Sequence, residues 1–152
     1  MSETYKGQCH CGALSADIKL SVPSTDIELR SCQCDFCKRH NGLTFTDPLG
    51  EFVLYYQAGT LKRYRMGLGI TEFLLCDRCG VYVAAVMNTK SGLKATVNSA
   101  GLGLDVFSDR QPKPVNYDGE TADIRRRRRI EGWTPAKLIE TDTSASSLQD
   151  CA

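Results

Sequence analysis

The chain has 152 residues, of which 19 are basic and 18 acidic, for a formal charge of +1, and 41% are hydrophobic. That length fits one domain with its own core, and so balanced a charge gives no global reason to expect nucleic acid as a partner. No apolar run approaches the roughly 18 to 20 residues that a membrane helix needs.

In chain order, Lys6-Gly7-Gln8 leads into Cys9-His10-Cys11-Gly12. Leu14, Ala16, Ile18 and Leu20 then alternate with polar residues, the period of a half-buried strand. Pro23-Ser24-Thr25 breaks it, and a short extended piece from Ile27 to Ser31 delivers Cys32. After Cys37 the run Lys38-Arg39-His40-Asn41 suggests a helical turn closed by Gly42. Thr44 to Thr46 and the β-prone Phe52-Val53-Leu54-Tyr55-Tyr56 read as strands around a turn at Asp47-Pro48-Leu49-Gly50. Leu61 to Met66 and Ile70 to Leu75 form a hairpin across Gly67-Leu68-Gly69. Val81 to Met87 leaves Cys79 as the matching strand, which gives the strand, knuckle, strand order of a zinc ribbon. Leu93 to Asn98 is a further strand, and Gly101, Gly103, Pro112, Pro114 and Gly119 mark loop. Thr121 caps a short helix to about Ile130, stopped at Gly132-Trp133-Thr134-Pro135. We expect one domain over residues 1–140 and a polar, disordered tail over 141–152.

Eight cysteines are the chemical signal. Cys32-Gln33-Cys34-Asp35-Phe36-Cys37 is too dense in sulfur to be explained by packing, since core cysteines usually occur singly. Cys9/Cys11 and Cys76/Cys79 are two further pairs, and Cys151 near the end reads as a spare thiol. The opening Met1-Ser2-Glu3-Thr4-Tyr5-Lys6 has no basic segment followed by an apolar one. C-x-C and C-x-x-C pairs in that setting favour metal in a reducing, cytoplasmic compartment over disulfides. Two ligands from each pair make a Cys₄ site from Cys9, Cys11, Cys76 and Cys79, closed and structural. The triad Cys32, Cys34 and Cys37 then holds a second zinc with one position open for chemistry. His40 as a fourth ligand is the alternative, and His10 is expected to face away. Three thiolates suit sulfur chemistry, in which a coordinated thiol loses its proton yet can attack an electrophilic carbon.

Gly7-Gln8-Cys9-His10-Cys11-Gly12-Ala13, the triad followed by Lys38-Arg39 and Gly42, and Leu75-Cys76-x-x-Cys79-Gly80 together resemble the glutathione-dependent formaldehyde-activating enzymes, the centromere protein V/GFA domain family. The resemblance spans roughly residues 5 to 100. It implies an all-β, Mss4-like tent of small antiparallel sheets pinned by two zinc ions, with the triad at the reactive one. The family often has histidine where this chain has Gln33, and a Gly-x-Leu-Asp stretch where it reads Asn98-Ser99-Ala100-Gly101-Leu102-Gly103.

The activity expected is a zinc-dependent carbon–sulfur lyase or synthase that joins a thiol, with glutathione the family's choice, to a small carbonyl compound such as formaldehyde, or runs the reverse. A lyase or isomerase tailoring a larger metabolite at the same zinc is one alternative, and a non-catalytic zinc-stabilised protein-binding module is another. Catalytic candidates are Cys32, Cys34 and Cys37. Arg30, Lys38 and Arg39, the cations nearest the triad in sequence, are the candidates for binding a thiol's carboxylates. Five arginines, Arg125 to Arg129, point all round a helix flanked by Glu120, Asp123 and Glu131, so we read a solvated or partner-facing helix that Tyr117 and Trp133 pack onto the sheet.

Overall fold

The computed structural model describes residues 2–141, so Cys151 and the rest of 142–152 lie outside the described residues. The strands are β1 (Glu3–Gln8), β2 (Leu14–Leu20), β3 (Arg30–Cys32), β4 (Thr44–Phe45), β5 (Glu51–Gln57), β6 (Leu61–Arg65), β7 (Glu72–Cys76), β8 (Tyr82–Thr89), β9 (Gly92–Asn98), β10 (Lys113–Val115) and β11 (Thr134–Thr141). The α-helices are α1 (Asp35–His40) and α2 (Ala122–Gly132). No helix among them is long and apolar enough to cross a membrane.

The all-β expectation holds, and the sheet is mixed. One layer runs β1-β2-β5-β11; β9 carries β8, β7 and β6 on one side and β4, β3 and β10 on the other. β11 joins the layers. Thr134 and Pro135 pair antiparallel with Ala95 and Lys94 of β9, and from Ala136 onward the strand runs parallel to β5. A second parallel pairing sets β10 beside β3. The sheets are antiparallel elsewhere and parallel at these two places, each of which involves a strand that the sequence does not announce. Pro112 and Pro114 suggest loop where β10 forms, Pro135 suggests a stop where β11 begins, and Thr141, expected in the tail, ends β11.

β2 shows why the core sits where it does. Leu14, Ala16, Ile18 and Leu20 are all buried on one face and meet Phe52 and Leu54 of β5, Val97 of β9 and Leu74 of β7. A second, smaller cluster gathers Cys37, Phe73, Tyr82, Ala85, Met87 and Trp133, with Phe36 and Met66 packed against it. It is the floor beneath the triad.

Candidate metal centres and the cavity between them and helix α2

Two tight turns supply the first sulfur cluster. Cys9 directly follows β1 and its turn is closed by the Gly12 N–H on the Cys9 carbonyl, with Gly12 at φ 84°. Cys76 ends β7, Gly80 donates to its carbonyl at 2.8 Å, and Gly80 stands at φ 78°. Only glycine takes such angles cheaply, so each turn can wrap tightly round its sulfurs. Backbone N–H groups point at the sulfurs: Leu14 to Cys9 Sγ at 3.3 Å and Cys79 to Cys76 Sγ at 3.5 Å. The four Sγ atoms of Cys9, Cys11, Cys76 and Cys79 lie within 4.8 Å of one another, with Cys9–Cys11 at 3.8 Å and Cys11–Cys76 at 3.6 Å. Sulfurs at tetrahedral corners about 2.3 Å from a zinc stand about 3.8 Å apart, so the donor set fits such an ion without rearrangement.

The second cluster is built on a helix start. Cys34 is the N-cap of α1, and its sulfur accepts from the Cys37 N–H at 3.4 Å. The Sγ atoms of Cys32, Cys34 and Cys37 also converge within 4.8 Å. Hydrogen bonds from Cys32 and then Cys37 hold the Cys34 thiol down at about 2, while hydrogen bonds with Cys32 and Cys34 push the Cys37 thiol up, with burial adding to it. One thiolate is thus favoured and further ones are opposed by repulsion, the conflict a divalent cation relieves. All seven cysteines in the two clusters are free.

His40 is not in the group of donor atoms that converges at the triad. It is exposed, and its ring packs 4.5 Å from Phe36 and 5.6 Å from Tyr82. His10 is exposed and is not among the donor atoms that converge with the sulfurs on either side of it. The residue that ends α1 in the left-handed conformation is Asn41, at φ 50°, rather than Gly42, whose N–H reaches the Cys37 carbonyl.

All three triad cysteines open into a cavity of about 190 Å³. Arg30 lines it. Lys38 lines a separate, shallower hollow that shares Cys32 and Cys37 with the cavity. Arg39 lines neither; it is exposed and pairs with Asp35 one turn earlier at 3.2 Å.

Residues outside the sequence candidates complete the lining of the cavity. Tyr82 is 2% exposed, and burial first, then the neighbouring Cys37, Cys32 and Cys34, keep its phenol from ionising. Arg125, Arg128 and Arg129 also line the cavity. They are spaced at i, i+3 and i+4, one face of a helix, while Arg126 and Arg127 are exposed on the other. The expectation of a wholly solvated or partner-facing arginine run is corrected here for these three. Tyr117 and Trp133 hold the helix as expected, but through the arginines themselves: the Arg128 guanidinium lies 3.6 Å from the centre of the Tyr117 ring and that of Arg129 lies 4.5 Å from Trp133. Burial pushes the Arg129 pKa down to about 10. The signal that could have found this wall was present, because arginines at i, i+3 and i+4 bracketed by aromatics can stack and face inward together.

A family model described as glutathione-dependent formaldehyde-activating enzyme matches residues 4–116. A crystal structure of a Rhodobacter sphaeroides protein aligns at 27% identity with a TM-score of 0.57, over 73% of this chain and 100% of that one. The match takes in both sulfur clusters and about three quarters of the 152-residue chain, and on that footing the chain belongs to the glutathione-dependent formaldehyde-activating enzyme family.

Proposed function

We propose that the protein is a zinc-dependent carbon–sulfur lyase or synthase that adds a thiol to a small carbonyl compound, and catalyses the reverse cleavage, at the Cys32/Cys34/Cys37 cavity. The observation that carries this reading is the triad's geometry: three convergent sulfurs, no fourth protein ligand among the described residues, and a cavity touching all three. Cys9, Cys11, Cys76 and Cys79 hold a structural zinc, and the triad holds a second. Zinc in the triad supplies a position at which an incoming thiol gives up its proton near neutral pH.

The chain's own residues account for the rest. The sulfur adds to the carbonyl carbon, the carbon–oxygen π pair moves to oxygen, and the proton released by the thiol ends on that oxygen, so no oxidant is required. Tyr82, held as a neutral phenol, donates a hydrogen bond where this negative charge develops. Phe73, Met66 and Trp133 exclude water from the cavity. Lys38, in the hollow on the other side of Cys32 and Cys37, takes a carboxylate of the thiol as it extends outward. Arg30 serves the cavity itself, and Arg39 contributes at most long-range charge. A cavity of about 190 Å³ favours a small carbonyl compound over a larger metabolite.

The test is turnover of glutathione with formaldehyde by protein of known zinc content. Cys34→Ser should retain one zinc and lose adduct formation. Undiminished turnover in that variant would contradict the reading.

A further inference from the structure

The geometry points to a carboxylate-binding pair, Arg129 and Arg30, lining the same cavity as the triad, that selects a carbonyl substrate bearing its own carboxylate, a small oxo acid. This rests on the carbon–sulfur reading of the same site and narrows its second substrate.

The wall is built from unequal cations. Arg128 is already neutralised, since its Nε and Nη2 each donate to a Glu120 carboxylate oxygen at 2.8 Å, and Arg125 stands 3.5 Å from that same carboxylate. Arg129 and Arg30 form no ion pair among the described residues. They donate to neutral hydroxyls, Arg129 to Thr71 and Arg30 to Thr46 at 2.5 Å. The Nε atoms of Arg129 and Arg125 are buried without a hydrogen-bond partner. A guanidinium desolvated against Trp133 with a free donor has a strong preference for a planar oxyanion, which its fork matches. Among the described residues, Asp118 is the single acidic residue lining the cavity.

Formaldehyde, neutral and without a second polar group, offers these donors nothing. The size of the cavity decides between the two remaining sources of a carboxylate. About 190 Å³ is comparable to cavities of about 150 Å³ that take up a molecule the size of benzene. A two- or three-carbon oxo acid enters whole, whereas a tripeptide thiol reaches in with its sulfur end and leaves its carboxylates outside, toward Lys38. Arg129, on α2, lies beyond residue 116, where the family match ends, so that half of the pair belongs to the part of the chain that the family model does not describe, while Arg30 lies within it. In the reaction the acid's carboxylate stays unchanged: the thiol sulfur bonds to its carbonyl carbon, and the carbonyl oxygen takes the proton.

Trp133 is the chain's one tryptophan and lies against Arg129, so its fluorescence reports the wall directly. Zinc-loaded full-length protein is titrated with glyoxylate as probe, with acetaldehyde as the uncharged comparison. Glyoxylate should give a saturable change, weakened about tenfold or more in Arg129→Gln, unchanged in Arg126→Gln, and persistent with glutathione present. Arg30→Gln provides a second variant if Arg129→Gln melts early by circular dichroism. Equal glyoxylate affinity in the wall variants, or weakened glutathione affinity in place of it, overturns the proposal, the latter by giving the carboxylate to the thiol. Turnover separates the two readings. Glyoxylate binding as expected with no adduct from glutathione sinks the lyase reading and leaves the wall. Adduct formation at equal rates from glyoxylate and formaldehyde, indifferent to Arg129, leaves the lyase and removes the wall.

Discussion

The sulfur of Cys11 lies 3.6 Å from that of Cys76, although 65 residues separate them in the chain. This contact joins the end of β1 to the end of β7 and so links the two layers at a point where no strand pairing does. A metal at this point closes a long loop, and for small domains the binding free energy of such an ion is comparable to the roughly 5–15 kcal/mol that holds a domain folded. Cys76→Ser should therefore abolish cooperative unfolding or lower Tm sharply, by circular dichroism. Cys34→Ser, at the rim of the second cluster, should leave Tm within a few degrees.

Chelator titration should resolve two phases. The Cys9/Cys11/Cys76/Cys79 cluster has Cys9 and Cys76 each 1% exposed, so an ion there is reached only when the fold opens. The triad lies on a cavity and gives up its ion first. A single phase with one zinc per chain would contradict this division.

Tyr82 is held by its backbone. Its carbonyl accepts from Asn98 Nδ2 at 2.8 Å, and a Cβ added to Gly101 would lie 1.9 Å from that carbonyl oxygen. Gly101→Ala must push β8 aside and should cost about 1–3 kcal/mol by denaturant unfolding. Tyr82→Phe removes the hydroxyl alone; it should keep the fold and lower kcat by about tenfold or more with little change in KM for the thiol. Unaltered kcat would take Tyr82 out of the reaction.

The helix α2 should loosen in acid. Hydrogen bonds from Arg128 hold the Glu120 carboxyl below the usual carboxylate range. A carboxylate depressed in the folded state contributes stability that is present above its unfolded pKa, about 4.3, and is lost as pH falls through its lower folded value. Trp133 fluorescence followed from pH 6 to about pH 3 should change along that limb. Glu120→Gln should shift α2 already at neutral pH and flatten the acid response, and an acid response identical to wild type would contradict the assignment.

Lys38 and Arg39 are adjacent in sequence but should behave differently. Lys38→Gln is expected to raise KM for glutathione several-fold at unchanged zinc content, because Lys38 lines the hollow against Cys32 and Cys37. Arg39→Gln should change little, since its charge is already met by Asp35 on the exposed face of α1.

What the sequence made legible, and what it did not, divides on locality. The sulfur clusters were readable because C-x-C and C-x-x-C place ligands by short-range turn geometry. β2 and β8 were readable because alternation or a long β-prone run declares burial. β11 was missed because its partners, β5 and β9, come from far upstream, and because Pro135 sits at its start, a position where proline is tolerated in a strand. The arginine wall was missed for a related reason. Lys38 and Arg39 are near the triad in sequence, whereas Arg129 comes to line the same cavity from about ninety residues downstream, a placement that proximity in sequence does not signal.

The central claim is that the triad presents an open metal position to a thiol, and cobalt substitution tests it most directly. Cobalt-loaded protein should show sulfur-to-metal charge-transfer bands that intensify as glutathione is added, over the concentration range that supports turnover, and Cys34→Ser should lose that response. A spectrum unchanged by thiol while turnover proceeds would contradict direct coordination and with it the role assigned to Cys32, Cys34 and Cys37.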